Sequence, residues 1–268
     1  MKISFVGGGV MAEAILRGIV SAGLAAPTDI SVGEPVQARR DDLARKHGVT
    51  VTGDNAEAVA GAELVVLSVK PQALGNVLPG LGAALKPDQA LASIVAGATI
   101  STIADGTGHQ AVIRIMPNTP AQIGAGISAW TASGAVTDAQ KAAVRGVVST
   151  LGEEVYVASE DLIDMSTALS ASGPAYVFSF VESLIDAGVN IGMSRDLASR
   201  LAIETVLGSA RMVKETGTHP AELRNMVTSP AGTTAAALVA LEKGGFRPAV
   251  IEAVAAAYRR SKELGKSS

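Results

Sequence analysis

The glycine triplet at residues 7–9 constrains the fold of this chain more than any other feature of the sequence. It directly follows the apolar run Ile3–Val6, and one residue after it begins the stretch 11–22, where apolar side chains recur at helical spacing. A strand, a glycine turn and a helix in this order begin a β-α-β unit. The order therefore predicts a parallel sheet with helices packed on its faces.

Short apolar runs and helical stretches keep alternating after this first unit. Further strands are predicted at residues 30–32, 49–51, 64–69, 90–94 and 111–116, with a charged helix at residues 36–47. Continuous apolar runs suit strands buried on both faces, and their alternation with helices is typical of a doubly wound parallel α/β sheet.

Strand-like runs end near residues 157–161. Beyond that segment apolar residues recur every three or four positions, from Ile203 to Val213 and again from Val250 to Tyr258, which is typical of amphipathic helices. The sequence thus predicts an α/β domain over residues 1–158 and an all-α domain over residues 159–268.

Composition excludes several classes of function. The chain has 22 Lys and Arg against 25 Asp and Glu, so its charge of −3 gives no broad surface for nucleic acid. It has no Cys, which excludes disulfides, thiolate chemistry and Cys-ligated metal, and no other metal-ligand spacing is found. Hydrophobic residues make up 48% and charged residues 18%, a balance that predicts apolar surface hidden between subunits of a homo-oligomer.

The N-terminus does not read as an export signal, because the glycine triplet interrupts its apolar run. No window approaches the ~20 apolar residues of a membrane span without a charge or a Gly or Pro break. We expect a cytoplasmic protein without a membrane partner.

The glycine triplet itself reads as a G-x-G-x-x-A dinucleotide-binding loop. Gly7 makes the tight turn, Gly9 lets the backbone approach a pyrophosphate, and Ala12 allows close packing of helix on strand. Gly8 and Val10 complete the loop, and the helix N-terminus offers N–H groups and a partial positive charge to the phosphates.

A carboxylate stands where such a site needs one. Glu34 follows the second strand about 20 residues past Ala12, where it would bind the adenosine ribose hydroxyls and repel a 2′-phosphate. This favours NADH. Arg39 and Arg40 are interpreted as a solvated helix face, with binding of a phosphate as the alternative.

Groups for demanding acid–base chemistry are scarce. The chain has three His, none of them in a motif, and no Lys between Lys141 and Lys214. A dehydrogenase acting on hydroxy acids needs such a base. Reduction of a C=N bond fits better, because a protonated imine is already electrophilic.

Two segments of the second half could shape a substrate site. Residues 229–234, Ser-Pro-Ala-Gly-Thr-Thr, precede a helical run and offer hydroxyls and free N–H groups to a carboxylate. The alternative is an ordinary helix N-cap. Residues 170–176 contain Pro174 and are interpreted as a helix boundary.

With these segments in view, the chain resembles the pyrroline-5-carboxylate reductases from Met1 to about Gly265. The likeness lies in residues 7–11, 68–71, 93–97, 114–120, 170–176 and 223–234, the last being similar to the family's signature. The resemblance implies a Rossmann domain followed by a helical dimerisation domain. It also implies NAD(P)H-dependent reduction of 1-pyrroline-5-carboxylate to L-proline, by hydride transfer to a cyclic C=N bond.

The resemblance also assigns residues by matching position. Ser229, Gly232, Thr233 and Thr234 would bind the substrate carboxylate, with Thr234 as the catalytic residue facing the ring nitrogen. Asn55 would lie by the adenosine and Pro117 and Asn118 near the nicotinamide. Further residues implied for the cofactor are Met11, Val69, Lys70, Pro71, Ala96 and Gly97. Both domains, from two subunits of a homodimer or larger homo-oligomer, would close one active site.

Two departures from the family pattern bear on function. Ala231 stands where the signature usually has a second Gly, which is tolerated if its φ is negative. Many relatives that prefer NADPH have Ser, Asn or Arg at the end of the second strand, where this chain has Glu34. The family therefore favours NADPH and Glu34 favours NADH, and we lean to NADH.

Two other functions stay open on the residues alone. A reductase of keto or hydroxy acids would need a Lys or His base in the helical half. A nucleotide-binding sensor without catalysis would keep the glycine loop and would not need residues 229–234.

Overall fold

The computed structural model describes residues 1–266. The strands are β1 (Ile3–Val6), β2 (Ile30–Gly33), β3 (Thr50–Thr52), β4 (Leu64–Leu67), β5 (Ala90–Ser93), β6 (Val112–Met116), β7 (Gly126–Ala132) and β8 (Gly152–Tyr156). The helices are α1 (Val10–Ser21), α2 (Gln37–His47), α3 (Asn55–Val59), α4 (Leu74–Ala84), α5 (Ile100–Thr107), α6 (Asp138–Ser149), α7 (Glu160–Ser166), α8 (Gly173–Asn190), α9 (Arg195–Thr216), α10 (Pro220–Met226), α11 (Thr233–Lys243) and α12 (Phe246–Lys266).

All eight strands form one sheet in the order β3-β2-β1-β4-β5-β6-β7-β8. The first six run parallel, and Ile3 of β1 pairs with Ile30 of β2 and Leu64 of β4. The predicted α/β class with a helical second half is confirmed. One detail was wrong: β7 and β8 were not predicted, and β7 runs antiparallel to β6.

Two layers of helices cover the sheet because its strands are apolar on both faces. In β4, Leu64 and Val66 face the layer that holds α1 and α6, whereas Val65 and Leu67 face the layer of α3, α4 and α5. Successive side chains of a strand point to opposite faces, so one four-residue run serves both cores.

The chain divides into two compact units. The first contains Met1–Ser172 and the residues from Ala256 onward, and the second is Gly173–Ala255. All regular structure in the second unit is helical, and its helices α8 and α9 pack together. The domain boundary after residue 158 was predicted from a change in sequence composition, and it stays a prediction.

Within the described residues, no helix combines the length and apolar character needed to cross a membrane.

Candidate functional site

The glycine loop adopts a backbone that only glycine fits at its first position. Gly7 has φ +97°, and its N–H donates to the carbonyl oxygen of Gly33 at 2.8 Å. A Cβ there would lie 2.8 Å from the carbonyl oxygen of Ser68. The Ser68 hydroxyl donates to the Gly7 carbonyl at 2.7 Å, so the loop is held from β4 as well as from β2.

The N-terminus of α1 is open towards this loop. Gly9 is the N-cap residue; no side chain caps the helix, and nothing lies within 4 Å of where a Gly9 Cβ would be. Val10 is 64% exposed. Free N–H groups at an accessible helix start bind anions, so this site fits the pyrophosphate of a dinucleotide.

Glu34 lies beside the loop, directly after β2. Its Oε2 accepts the N–H of Gly8 at 2.9 Å, and its Oε1 accepts the N–H of Val36 at 3.0 Å. Asn55, the first residue of α3, places its side-chain oxygen over Gly33. A carboxylate and an amide thus flank the position predicted for the adenosine ribose.

The two arginines of α2 do not form the solvated face that was predicted. Nε of Arg39 donates to the carbonyl of Gly8 at 2.6 Å, and its Nη2 pairs with Glu13 at 2.7 Å. Nη1 of Arg40 donates to the carbonyl of Glu34 at 2.6 Å. The prediction was wrong because the pattern of charges along a helix does not report backbone carbonyls outside that helix. The carbonyls of the glycine loop and of residue 34 accept these side chains.

Glu13 connects this network to the end of α2. Its Oε1 lies 2.9 Å from Nε2 of His47 and its Oε2 accepts from Arg39. The hydrogen bond with His47 lowers the pKa of the Glu13 carboxyl, burial partly opposes that effect, and Arg39 and Lys46 lower the pKa further. The charged form of Glu13 is therefore favoured beside the loop.

The remaining predicted cofactor residues follow the carboxyl ends of neighbouring strands. Val69, Lys70 and Pro71 come after β4, Ala96 and Gly97 after β5, and Pro117 and Asn118 after β6. These strands follow β1 in the sheet in the order β4, β5, β6 and run parallel to it, so the loops share one edge with the glycine loop, where open α/β sheets bind their ligands.

Two of these loop positions have defined geometry. Gly97 has φ +79°, a conformation that favours glycine. The Oδ1 of Asn118 accepts the N–H of Ile127 at 3.0 Å, which ties the loop after β6 to the start of β7. The individual cofactor contacts of all these residues stay predictions.

Residues 229–234 form the turn before α11 in the second unit. Gly232 is the N-cap residue, and no side chain caps the helix. A Cβ at Gly232 would meet the Ser229 hydroxyl, so the glycine leaves that hydroxyl room beside the helix start. The ordinary N-cap considered above is not what forms; the first N–H groups of α11 lie open beside the hydroxyls of Thr233 and Thr234.

The backbone at Ala231 does not meet the condition of a negative φ stated above. Its φ is +57°, a left-handed conformation that costs a residue with a Cβ about 1–2 kcal/mol. The turn therefore keeps the shape of a glycine turn although a methyl group replaces one hydrogen.

Each of the three histidines has a structural partner. His47 ends α2 against Glu13, His109 is buried with Nε2 2.8 Å from the carbonyl of Gln89, and Nδ1 of His219 accepts the N–H of Ala221 at the start of α10. Among the described residues, no group of His, Asp and Glu side chains is arranged to hold a metal ion.

A glycine loop at the first β-α turn, a carboxylate after β2 and loops gathered at the carboxyl edge of the sheet define an oxidoreductase that binds a nicotinamide dinucleotide. Comparison with known families agrees. Residues 2–97 match the family described as NADP oxidoreductase coenzyme F420-dependent, and residues 160–264 match the pyrroline-5-carboxylate reductase dimerisation family.

Curated relatives extend the match to the whole chain. A pyrroline-5-carboxylate reductase of Synechocystis sp. is 48% identical over 267 residues, which is 99% of each chain, and that of Arabidopsis thaliana is 40% identical over 99% of this chain and 96% of the relative. The chain therefore belongs to the pyrroline-5-carboxylate reductase family, as its sequence motifs implied.

Solved structures of the family share the fold. The enzyme of Coxiella burnetii superposes with a TM-score of 0.90 at 37% identity, covering 98% of both chains. That of Plasmodium falciparum, with NADP bound, superposes with a TM-score of 0.90 at 32% identity, covering 99% of this chain and 98% of its own.

Proposed function

We propose that this chain reduces 1-pyrroline-5-carboxylate to L-proline with NADH or NADPH, as the final step of proline biosynthesis. The observation that carries the proposal is the full-length match to reductases of that name, which spans both the dinucleotide loop and the helical half. The open helix start at Gly232 supports it, because the substrate is a small carboxylate.

Residues 229–234 bind the substrate carboxylate in this proposal. The N–H groups at the start of α11 donate to its oxygens, and the hydroxyls of Ser229, Thr233 and Thr234 add donors without an Arg or Lys. The helix N-terminus contributes a partial positive charge. Such a site fixes a carboxylate by direction and distance more than by net charge.

The reaction adds a hydride to C5 of the ring and a proton to its nitrogen. The reduced nicotinamide supplies the hydride when it is bound. The chain contributes proximity and orientation: the loops at the carboxyl edge of the sheet hold the cofactor, and residues 229–234 hold the imine. Thr234 faces the ring nitrogen and orients it by a hydrogen bond, since a Thr hydroxyl is a weak acid.

Substitution of Thr234 tests this role. Thr234→Ala should lower kcat/KM for pyrroline-5-carboxylate about 10- to 1,000-fold, the range of a positioning or proton-transfer group. The matched control is Thr228→Ala, whose hydroxyl is bound to the backbone carbonyl of Arg224 at 2.6 Å and should leave kcat/KM unchanged. An unaltered kcat/KM in Thr234→Ala would remove this residue from the mechanism.

Cofactor preference depends on Glu34 in this proposal. Its carboxylate is fixed by two backbone N–H groups beside the expected ribose, where it accepts hydroxyls and repels a 2′-phosphate. Arg39 and Arg40 are occupied by loop carbonyls. In this proposal the enzyme uses both cofactors and prefers NADH.

Assays run in parallel with NADH and NADPH test the preference. Glu34→Ser should raise the NADPH-to-NADH ratio of kcat/KM by about 10-fold or more, because it removes one unit charge near the phosphate. Asp41→Ser, on the same helix but bonded to Gln37, is the control. An unchanged ratio in Glu34→Ser would refute the role of the ribose carboxylate.

The second unit makes the enzyme a homodimer in this proposal. Large apolar side chains stand exposed on its helices, among them Phe178, Ile203, Leu207 and Ile251, and its residues match a dimerisation family. Both domains, from two subunits, then close one active site. Location in the cytoplasm stays a prediction of the sequence.

A further inference from the structure

A buried cation in β6 joins the elements around the loops proposed to hold the nicotinamide. Arg114 is 1% exposed, and its Nη2 donates to Oδ1 of Asp164 at 2.7 Å while its Nη1 donates to Oε1 of Glu160 at 3.1 Å. Both carboxylates belong to α7. Two residues beyond Arg114, β6 ends at Met116, directly before Pro117 and Asn118.

The same carboxylate of Glu160 reaches the loop after β5. Its Oε1 also accepts the N–H of Ile100, the first residue of α5, at 2.8 Å. Ile100 lies three residues beyond Gly97, so one carboxylate oxygen links the loop after β5 to Arg114 in β6. The loop after β5 and the strand that leads into Pro117 and Asn118 are therefore held by a common group.

The last turns of α12 join this cluster. The Ser261 hydroxyl donates to Oδ1 of Asp164 at 3.3 Å, and Nζ of Lys262 pairs with Asp161 at 2.5 Å. Leu264, one turn further, lies so close to Gly97 that a Cβ on Gly97 would be 3.1 Å from the Leu264 Cβ.

A π-helical segment, Thr167–Ala171, directly follows α7. Ile163 of α7 packs in a small buried cluster with Met116 and Ala129, and Ala96 and Ala171 pack against it. π-helical turns are rare in proteins, and those that occur are often found at functional sites. Here Ala171 of this turn packs against the cluster that contains Met116, the residue before Pro117, and that Ala96 also contacts.

We propose that Arg114 is a positioning residue for hydride transfer: by holding Glu160 and Asp164 it fixes the loops after β5 and β6 and the π-helical segment around the nicotinamide. Buried ion pairs often add little to stability compared with apolar packing, whereas a guanidinium fork sets direction on two carboxylates. The inference rests on the proposed function, because it takes these loops as the nicotinamide end of the site.

The test uses Arg114→Lys, Arg114→Met and Asp164→Asn in the full-length chain, at a temperature where circular dichroism shows each variant folded. We expect kcat to fall about 10-fold in Arg114→Lys and about 100-fold in Arg114→Met, the size of effect given by a small misplacement of reacting groups. The isotope effect with 4-deuterated NADH should rise, because hydride transfer becomes rate-limiting. If Arg114→Met does not fold, Arg114→Lys and Asp164→Asn decide.

Cofactor binding gives a second readout that needs no turnover. The Kd for NADH should change less than about threefold, since the adenosine half binds at β1 and β2, and the fluorescence of bound NADH should move towards that of free NADH as its nicotinamide loosens. Glu154→Gln is the matched control. It alters a carboxylate of β8 that accepts the indole N–H of Trp130 at 2.5 Å, so it should lower Tm and leave kcat, the isotope effect and the NADH fluorescence unchanged.

The outcomes separate the two proposals. Folded Arg114→Lys and Asp164→Asn with the kcat, isotope effect and bound NADH fluorescence of the wild type would overturn the positioning role. A wild type that binds NADH but does not reduce pyrroline-5-carboxylate would instead refute the proposed function, and the fluorescence comparison would still report on Arg114.

Discussion

At the scale of single residues, Ala231 combines strain with a place in the proposed substrate turn. Its φ of +57° lies in the left-handed region that favours glycine, and a residue with a Cβ in this region costs about 1–2 kcal/mol. Ala231→Gly should therefore stabilise the protein by roughly 1 kcal/mol after the larger chain entropy of glycine is subtracted. Thermal unfolding at a fixed protein concentration should show Tm raised by roughly 2–4 °C.

A second alanine of the neighbouring helix provides the control. Ala237 lies exposed within α11, where glycine costs about 1 kcal/mol, so Ala237→Gly should lower Tm. The strain interpretation fails if both substitutions shift Tm in the same direction. Because the turn keeps its shape, kcat/KM of Ala231→Gly should stay within about twofold of the wild type.

At the scale of elements, the contact between α1 and α2 depends on the charge of Glu13. The His47 hydrogen bond, and after it Arg39, hold the pKa of the Glu13 carboxyl below its usual 4.5. A depressed pKa contributes stability above the unfolded value and loses it as pH falls through the folded value. Glu13→Gln should thus be less stable than the wild type by roughly 1 kcal/mol at pH 7, and the difference should shrink below pH 4.5.

Urea unfolding midpoints measured between pH 7 and pH 3 check this dependence. Asp138→Asn is the comparison, since that side chain is fully exposed at the start of α6 and its substitution should change the midpoint little at any pH. A constant gap between Glu13→Gln and the wild type across the whole range would contradict the linkage.

The sequence predicts those elements whose geometry depends on residues close together in the chain. Local sequence patterns predicted three features: the loop at Gly7, the carboxylate at Glu34 and the end of α2 at Gly48. The structure has each of them at the predicted position, because neighbouring residues determine this geometry. Strand β8 was missed because Glu153 and Glu154 interrupt its apolar pattern, although Glu154 is bonded to Trp130.

Contacts distant in sequence were out of reach. Arg114 is the one charge in an apolar strand, which is a signal of a buried cation, but its partners Glu160 and Asp164 lie 46 and 50 residues away. The sign of φ at Ala231 was left open for a related reason. It is set by closure of the turn onto Ser229 and Gly232, and composition does not report closure.

At the scale of the whole molecule, one chain leaves much of its helical unit uncovered. Ile203 and Leu207 lie one turn apart on α9 and are 49% and 51% exposed. Removing such apolar surface from water contributes about 25 cal/mol per Å². We propose that the amphipathic pattern that predicted this helix marks the face that a second copy of the chain covers in the proposed homodimer.

A charge on this face should separate the subunits. Leu207→Glu places a carboxylate where the partner's apolar surface would desolvate it, at a cost of several kcal/mol for an unpaired charge. Sedimentation of the wild type at micromolar concentration should give twice the chain mass of 27.0 kDa, and that of Leu207→Glu should approach one chain. Thr205→Glu is the control, since residue 205 points about 160° away from residue 207 around α9.

If two subunits build each active site, Leu207→Glu should also lose reductase activity in proportion to the dissociated fraction and regain it at higher protein concentration. A fully active single chain would show that one subunit completes the site alone.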